Sequence, residues 1–179
     1  MRAALQGAAL AVLAGLPVAA DIRDGAITAQ DGTGRFVVLP EPPLAVGQDI
    51  FDSPDLIAFD EAQGIALPAP LALETGAPIP GGTLVSLHSV VFDGTGGRQR
   101  GWVLFDAPIL GVATAPATLA ATDALAGVGT LWLGHALRGL EQGDRAWIDP
   151  ADPRRLRLDW AGSSPGDQVR VVTRAAPLM

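Results

Sequence analysis

The chain has 179 residues with 12 arginines, no lysine and 19 acidic residues, which gives a formal net charge of −7 at pH 7. This length suits one domain with a single core, and the acidic balance argues against nucleic acid or an anionic membrane surface as a partner, since both require concentrated basic charge. The absence of cysteine excludes thiol catalysis, iron–sulfur clusters and cysteine-ligated zinc.

Residues 1–20 (MRAALQGAALAVLAGLPVAA) have the organisation of a secretory signal peptide. Arg2 precedes a short apolar run, and Pro17 is followed by small residues that end at Ala20. We therefore expect cleavage after Ala20 and export to the periplasm or the extracellular space. The mature domain, residues 21–179, then has 11 arginines against 19 acidic residues, a net charge of −8. We expect no transmembrane segment in it.

The first half of the mature domain predicts short strands separated by turns. Residues 21–34 contain two Asp-Gly turn signals and predict an irregular lead-in with at most one short strand. The run RFVVL (35–39) predicts a strand that a proline cluster ends. Further short strands are expected at 56–59, and at 63–67 with 71–73 as an interrupted edge strand.

The centre of the chain, residues 83–114, predicts a β-hairpin. Two runs rich in β-branched and aromatic residues, 84–92 and 102–105, flank the turn-forming segment DGTGG (93–97). A third strand is expected at 109–114. These three strands are the ones around which we expect the domain to be organised.

One short helix is expected near residues 116–126, because Leu119 and Thr122 recur at helical spacing after Pro116. A small strand follows at 130–133. The final two strands, 155–160 and 168–174, alternate apolar with polar residues around the turn SSPGD, and we expect them to pair as an antiparallel hairpin.

These elements predict an all-β fold, an antiparallel β-sandwich with jelly-roll-like topology, forming a single domain. Trp160 is expected in its core by alternation, and Asp167 closes the last turn. Arg138 and Glu141 are three residues apart around Gly139, and we expect structural roles for both. Arg138 would pair with Glu141 or with a loop carboxylate such as Asp144.

A resemblance adds to this interpretation. The segments ILGV (109–112), LRGLE (137–141) and SPGD (164–167), with their spacing, resemble a family of exported bacterial proteins of unknown function that often end in a PEP-CTERM-type sorting tail. The similarity spans residues 56–173. It implies export and a β-rich fold, and it brings no catalytic residues. Residues 175–179 contain no sorting motif, so anchoring by that route is not expected.

The candidate chemistry is limited. We predict no catalytic residues. The two histidines, His88 and His135, lack metal-ligand spacing. Zinc binding or base catalysis together with Asp106 or Asp123 is the alternative to their being ordinary packed or surface histidines. A structural calcium is a possible ligand, because five acidic residues cluster within thirteen positions, and the alternative is that they are solvated loop acids: Asp49, Asp52, Asp55, Asp60 and Glu61. Trp102 and Trp147, if exposed, would stack on sugars.

Three functions remain open. The first is a non-enzymatic exported β-sandwich that acts as a structural or binding module in the envelope or outside the cell. The second is a carbohydrate-binding module, with a glycan as partner through the tryptophans. The third is a hydrolase with an unrecognised carboxylate site, since an acidic chain always offers carboxylate pairs.

Overall fold

The computed structural model describes residues 17–18, 20–47, 50–94, 96–127, 129–134, 136–162 and 166–177. Most of the expected signal peptide, together with Asp49, His135 and part of the SSPGD turn, lies outside these ranges.

The described chain forms thirteen strands and one helix. The strands are β1 (Pro17–Val18), β2 (Ile22–Gln30), β3 (Phe36–Val38), β4 (Ala45–Val46), β5 (Ser53–Ala66), β6 (Leu84–Asp93), β7 (Arg98–Phe105), β8 (Ile109–Ala113), β9 (Leu131–Trp132), β10 (Arg145–Asp149), β11 (Asp152–Ala161), β12 (Asp167–Arg174) and β13 (Ala176–Pro177). The helix α1 is Pro116–Thr122. No helix within the described ranges is long and apolar enough to span a membrane.

Two sheets pack face to face, which confirms the predicted all-β sandwich. The four-stranded sheet has the order β10-β11-β7-β2, and the five-stranded sheet has the order β3-β5-β6-β12-β8. The connections after β6, β7 and β11 pass from one sheet to the other, so most neighbours within a sheet are distant in sequence. Two minor pairs, β1 with β13 and β4 with β9, complete the described strands.

The core between the sheets is built by alternation along the strands. In β11 the residues Leu156, Leu158 and Trp160 are buried, and the residues between them are partly exposed. They meet Val169 and Val171 of β12 in one apolar cluster. The Trp160 indole N–H donates to Gln99 Oε1 at 3.1 Å, so its one polar atom is satisfied inside the core.

The predicted central hairpin is wrong in its pairing. β6 pairs with β5 and β12, whereas β7 pairs with β2 and β11 in the opposite sheet. The chain therefore passes from the five-stranded sheet to the four-stranded sheet between β6 and β7. β6 is buried along nearly its whole length, so both of its faces must be covered, and it occupies the middle of the five-stranded sheet.

The predicted C-terminal hairpin is also wrong, because its two strands lie in different sheets. β11 pairs with β10 and β7, and β12 pairs with β6 and β8. Their apolar faces meet, as expected, but from opposite sheets across the core. The hairpin partner of β11 is β10, whose short alternating run RAWID lies before Pro150 and was not recognised as a strand.

A separate layer covers the outer face of the five-stranded sheet. It contains α1, the turns that follow it and the β4–β9 pair. Val46, Ala126 and Trp132 pack from this layer onto Phe59 and Val91 of the sheet. The helix ends at Thr122, earlier than the expected boundary near residue 126. Its N-cap residue is Ala115, which makes no side-chain capping hydrogen bond.

Candidate ligand-binding face

The acidic residues considered for calcium do not converge. The Asp55 carboxylate accepts the Arg35 N–H at 2.9 Å, Asp60 contacts His88, and Glu61 faces Arg170. Asp52 has a positive φ of 42° at the start of β5, and Asp49 lies outside the described residues. Among the residues that the structure describes, no group of three or more His, Asp or Glu side chains is arranged to hold a metal ion.

His88 is the centre of an Asp–His–Thr line. Its Nδ1 lies 2.5 Å from Asp60 Oδ1, and its Nε2 lies 2.8 Å from the Thr173 hydroxyl. The order resembles a nucleophile–base–acid triad, but the exposure is reversed. Thr173 and His88 are fully buried, and Asp60 is the exposed end. A nucleophile must be reached by its substrate, so this arrangement serves packing between β5, β6 and β12.

Arg138 belongs to a buried ring of charges on the outer face of the five-stranded sheet. The sequence predicted Glu141 or Asp144 as its partner. In the structure the partner is Asp123, with N···O distances of 2.7 and 2.9 Å. Its Nε donates to Gln168 at 3.1 Å. Gly139 has a φ of 102°, and a Cβ there would lie 2.4 Å from the Thr114 carbonyl oxygen, which explains glycine next to this arginine.

Arg170 closes the ring. Its Nε donates to Glu61 at 2.5 Å, and its Nη1 lies 3.1 Å from Asp123 and donates to the Leu119 carbonyl at 2.8 Å. Ser89 connects Glu61 with Gln168 by two further hydrogen bonds. We call this set of side chains the buried ring; its members are Glu61, Ser89, Asp123, Arg138, Gln168 and Arg170. Two guanidinium groups meet two carboxylates, so the ring is neutral.

Trp132 lies against both arginines of the buried ring. The guanidinium carbons of Arg138 and Arg170 are each 4.8 Å from its ring centroid, and Trp132 is only 7 % exposed. These cation–π contacts tie the covering layer to the sheet. Because the charges are paired and covered, we interpret the buried ring as a structural device.

Asp167 lies next to this region at the start of β12. It is buried, and its Oδ2 has no hydrogen-bond partner among the described residues. Burial, with the nearby charges of Asp144 and Glu141, raises the pKa of Asp167 to about 8. The Asp167 carboxyl is therefore largely protonated at neutral pH.

The outer face of the four-stranded sheet has no covering layer among the described residues, and it is rich in arginine. Alternation directs every second residue of β7, β10 and β11 into the core, including Gln99, Ala146 and Leu156, and the residues between them outward. We call the outward set the Arg–Trp face. Its charged and aromatic members are Asp24, Arg98, Arg100, Trp102, Arg145, Trp147, Asp149, Arg155, Arg157 and Asp159.

Strand register places the two half-buried tryptophans of this face in one row. Trp147 is opposite Arg157, which is opposite Trp102, which is opposite Ala26 on the edge strand β2. Two inter-strand steps separate the tryptophans, a distance of about 10 Å between their backbones. Two residues along the strands, a second row contains Arg145, Asp159 and Arg100.

Arginines stack on both tryptophans. The guanidinium carbon of Arg155 lies 5.1 Å from the Trp102 ring centroid, and that of Arg145 lies 5.3 Å from the Trp147 ring centroid. A guanidinium over an indole gains a cation–π contact and remains able to donate hydrogen bonds at its edge. Arg155 Nε has no partner within the described part of the chain.

Each aspartate in the centre of the face is shared by two arginines. Asp149 Oδ2 lies 2.7 Å from Arg157 and 3.5 Å from Arg155, and Asp159 contacts Arg98 and Arg100 at 2.5 and 3.1 Å. The Ala151 N–H and Arg157 lower the pKa of Asp149. Burial opposes ionisation of Asp159, but its two arginines outweigh burial and lower its pKa. Both carboxylates are therefore ionised at neutral pH.

Two shallow depressions lie at opposite edges of the same face. One, of about 470 Å³, is lined by Arg145 and Trp147 of β10, together with Leu140 and the acidic residues Glu141 and Asp144. The other, of about 250 Å³, is lined by Arg98 and Arg100 with the end of β2.

The Arg–Trp face brings together Trp102 and Trp147, both of which were named from the sequence. The arginines around them were missed as site residues. The signal was present in RQRGW and RRLRLDW, where arginine alternates with the core residues, but it becomes a site only when β7, β10 and β11 are aligned.

Comparison with models of protein families, with curated proteins and with solved structures gives no match for this chain.

Proposed function

We propose that the protein is an exported, non-enzymatic binding module that attaches to a glycan through the Arg–Trp face. The observation that supports this proposal is the row Trp147–Arg157–Trp102 on an open sheet face. Sugar rings present a C–H face that packs on an indole, and their hydroxyls accept hydrogen bonds from neighbouring polar side chains. Two indoles at a fixed separation on a rigid sheet would bind one extended chain at two points.

Catalysis is not part of this proposal. The Asp60–His88–Thr173 line has the chemistry of an acyl-transfer site, but its hydroxyl is fully buried. Asp149 and Asp159, in the centre of the Arg–Trp face, are each held by two arginines, which favours their ionised form and disfavours a general acid. Binding without turnover is the function that these residues support best.

The proposal is tested by glycan-array binding of the mature protein and of the variants Trp102→Ala and Trp147→Ala. Each variant should lose affinity by at least about tenfold, as expected for a central aromatic contact. Leu131→Ala is the matched control, because Leu131 is 61 % exposed on the covering layer of the other sheet. Binding that survives both tryptophan substitutions, or no binding by the wild-type protein to any glycan, would overturn the proposal.

A further inference from the structure

We infer that the glycan bound by the Arg–Trp face is a polyuronate, an acidic polysaccharide that carries a carboxylate on its sugar residues. This inference rests on the proposed function and names the class of ligand. The charge of the face, the donors that it presents and the way its own aspartates are held all support an acidic glycan.

The Arg–Trp face is positively charged on an acidic protein. It has five arginines and three aspartates, an excess of two positive charges, whereas the whole chain has a net charge of −7. The rest of the protein therefore has a net charge of −9. A polyanion is therefore favoured over the centre of this face relative to the rest of an acidic protein, so the charge distribution supports an acidic ligand at this place.

The face also presents more hydrogen-bond donors than its aspartates can accept. Each guanidinium has five N–H donors, and a carboxylate accepts at two oxygens. The side chains of Arg98, Arg100 and Arg157 are 40 %, 60 % and 43 % exposed, so part of each guanidinium is open to a ligand. A neutral sugar offers weaker acceptors than a carboxylate, because hydrogen bonds to an ionised acceptor are the stronger ones.

The protein's own side chains illustrate how a carboxylate would be held. Asp149 and Asp159 each lie between two guanidinium groups of neighbouring positions. Arg157 lies between the two tryptophans in the central row, so a sugar stacked on either indole would have its substituents close to a guanidinium. A uronate meets both requirements, since it has an apolar ring face and a carboxylate on the same residue.

The ligand test compares polygalacturonate with the same polymer after methyl esterification, which keeps the backbone and removes the charge. Isothermal titration of the mature protein should give binding to the acid and at least about tenfold weaker binding to the ester. Single-stranded DNA, anionic lipid vesicles and dextran sulfate are tested in parallel. Equal or stronger binding of any of these would overturn the inference, because it would mean that charge alone is recognised.

The variant test uses Arg157→Gln and a control of equal charge change. Arg157→Gln should weaken binding of polygalacturonate by about tenfold or more, and Arg157→Lys should restore only part of it, because lysine keeps the charge but not the planar fork. Arg154→Gln is the control: Arg154 is 48 % exposed and paired with Asp152 at the end of the β10–β11 hairpin. Equal losses in both glutamine variants would overturn the assignment to this face.

The two proposals fail in different ways. Tryptophan-dependent binding of a neutral glycan in preference to polygalacturonate would overturn the polyuronate and leave the glycan-binding function in place. Absence of binding to every glycan, acidic or neutral, would overturn both.

Discussion

The outer faces of the two sheets carry the same pair of side chains, arginine and tryptophan, in opposite surroundings. On the outer side of the five-stranded sheet, Trp132 of the covering layer contacts Arg138 and Arg170 and is buried. On the four-stranded sheet, Trp102 and Trp147 contact Arg155 and Arg145 on a surface open to solvent. The ring-to-guanidinium distances are similar in both places, so the contact itself does not distinguish them.

The difference lies in how the charges are balanced. The buried ring has two guanidiniums and two carboxylates, and its polar atoms are connected by hydrogen bonds. The Arg–Trp face has five guanidiniums and three carboxylates, and its arginines keep unused donors. An unpaired buried charge is costly, so a covered site must be neutral, whereas an exposed site can keep excess charge for a ligand. We therefore infer stability from the first pattern and binding from the second.

Removing a buried charge should have the largest effect on stability. Arg170→Ala leaves Glu61 buried without its cation, and we expect a loss of about 3–5 kcal/mol in the free energy of unfolding. Urea denaturation followed by tryptophan fluorescence measures it. The double variant Glu61→Leu/Arg170→Leu removes both charges and should recover most of the loss. A loss below about 1 kcal/mol for Arg170→Ala would mean that the ring is not sealed from water.

Arg138→Ala should be the next most damaging change, at about 2–4 kcal/mol. Asp123 would keep Arg170 as a partner, which makes this loss smaller than that of Arg170, but Gln168 would lose a donor and Trp132 a cation–π contact. The melting temperature and the free energy of unfolding are the measurements. An unchanged melt together with weakened glycan binding would instead make Arg138 a functional arginine and remove the distinction between the two faces.

Asp167→Asn should stabilise the protein, in a manner that depends on pH. The folded pKa is raised to about 8 and the unfolded value is about 4, so the folded state retains a proton that the unfolded chain loses between those values. In the wild-type protein, the free energy of unfolding is therefore unaffected by this carboxyl below pH 4 and decreases as the pH rises from 4 to 8. The advantage of the variant should therefore grow from pH 4 to 8 and reach roughly 2 kcal/mol or more. A constant difference between the two proteins over this range would contradict the prediction.

The smallest effects on stability are expected on the Arg–Trp face. Arg157→Ala should change the free energy of unfolding by less than about 1 kcal/mol, because exposed ion pairs contribute little and Asp149 keeps Arg155. The same denaturation experiment, run beside Arg170→Ala, compares an exposed arginine directly with a buried one. Equal losses in the free energy of unfolding for Arg157→Ala and Arg170→Ala would contradict the view that only the buried arginine is needed for stability.

The class of fold and the inward faces of the strands follow from local patterns in the sequence. Alternation along β11 placed Leu156, Leu158 and Trp160 inside, because a strand directs successive side chains to opposite faces whatever its partners are. Turn-forming residues located most chain reversals, and Pro116 located the start of the helix. These features depend on local geometry, which the neighbouring residues decide.

Pairing could not be read from the sequence in the same way. The turn signals at residues 93–97 and 163–167 predicted hairpins, but β6 and β7, like β11 and β12, belong to opposite sheets, and β6 pairs with β12 instead. A reversal signals only that the chain changes direction. Which strands then pair depends on burying both faces of β6, and this requirement involves segments far apart in sequence.

Only the tertiary structure decided which charged residues are neighbours. Nothing local indicates that Arg170 meets Glu61, 109 positions away, or that Arg138 chooses Asp123 over the nearer Glu141 and Asp144. Likewise, the sequence named Trp102 and Trp147 as a candidate pair, but only the strand register placed them on either side of Arg157. Burial and salt-bridge partners are properties of the packed layers, because the cost of an unpaired charge exists only where neighbouring segments exclude water.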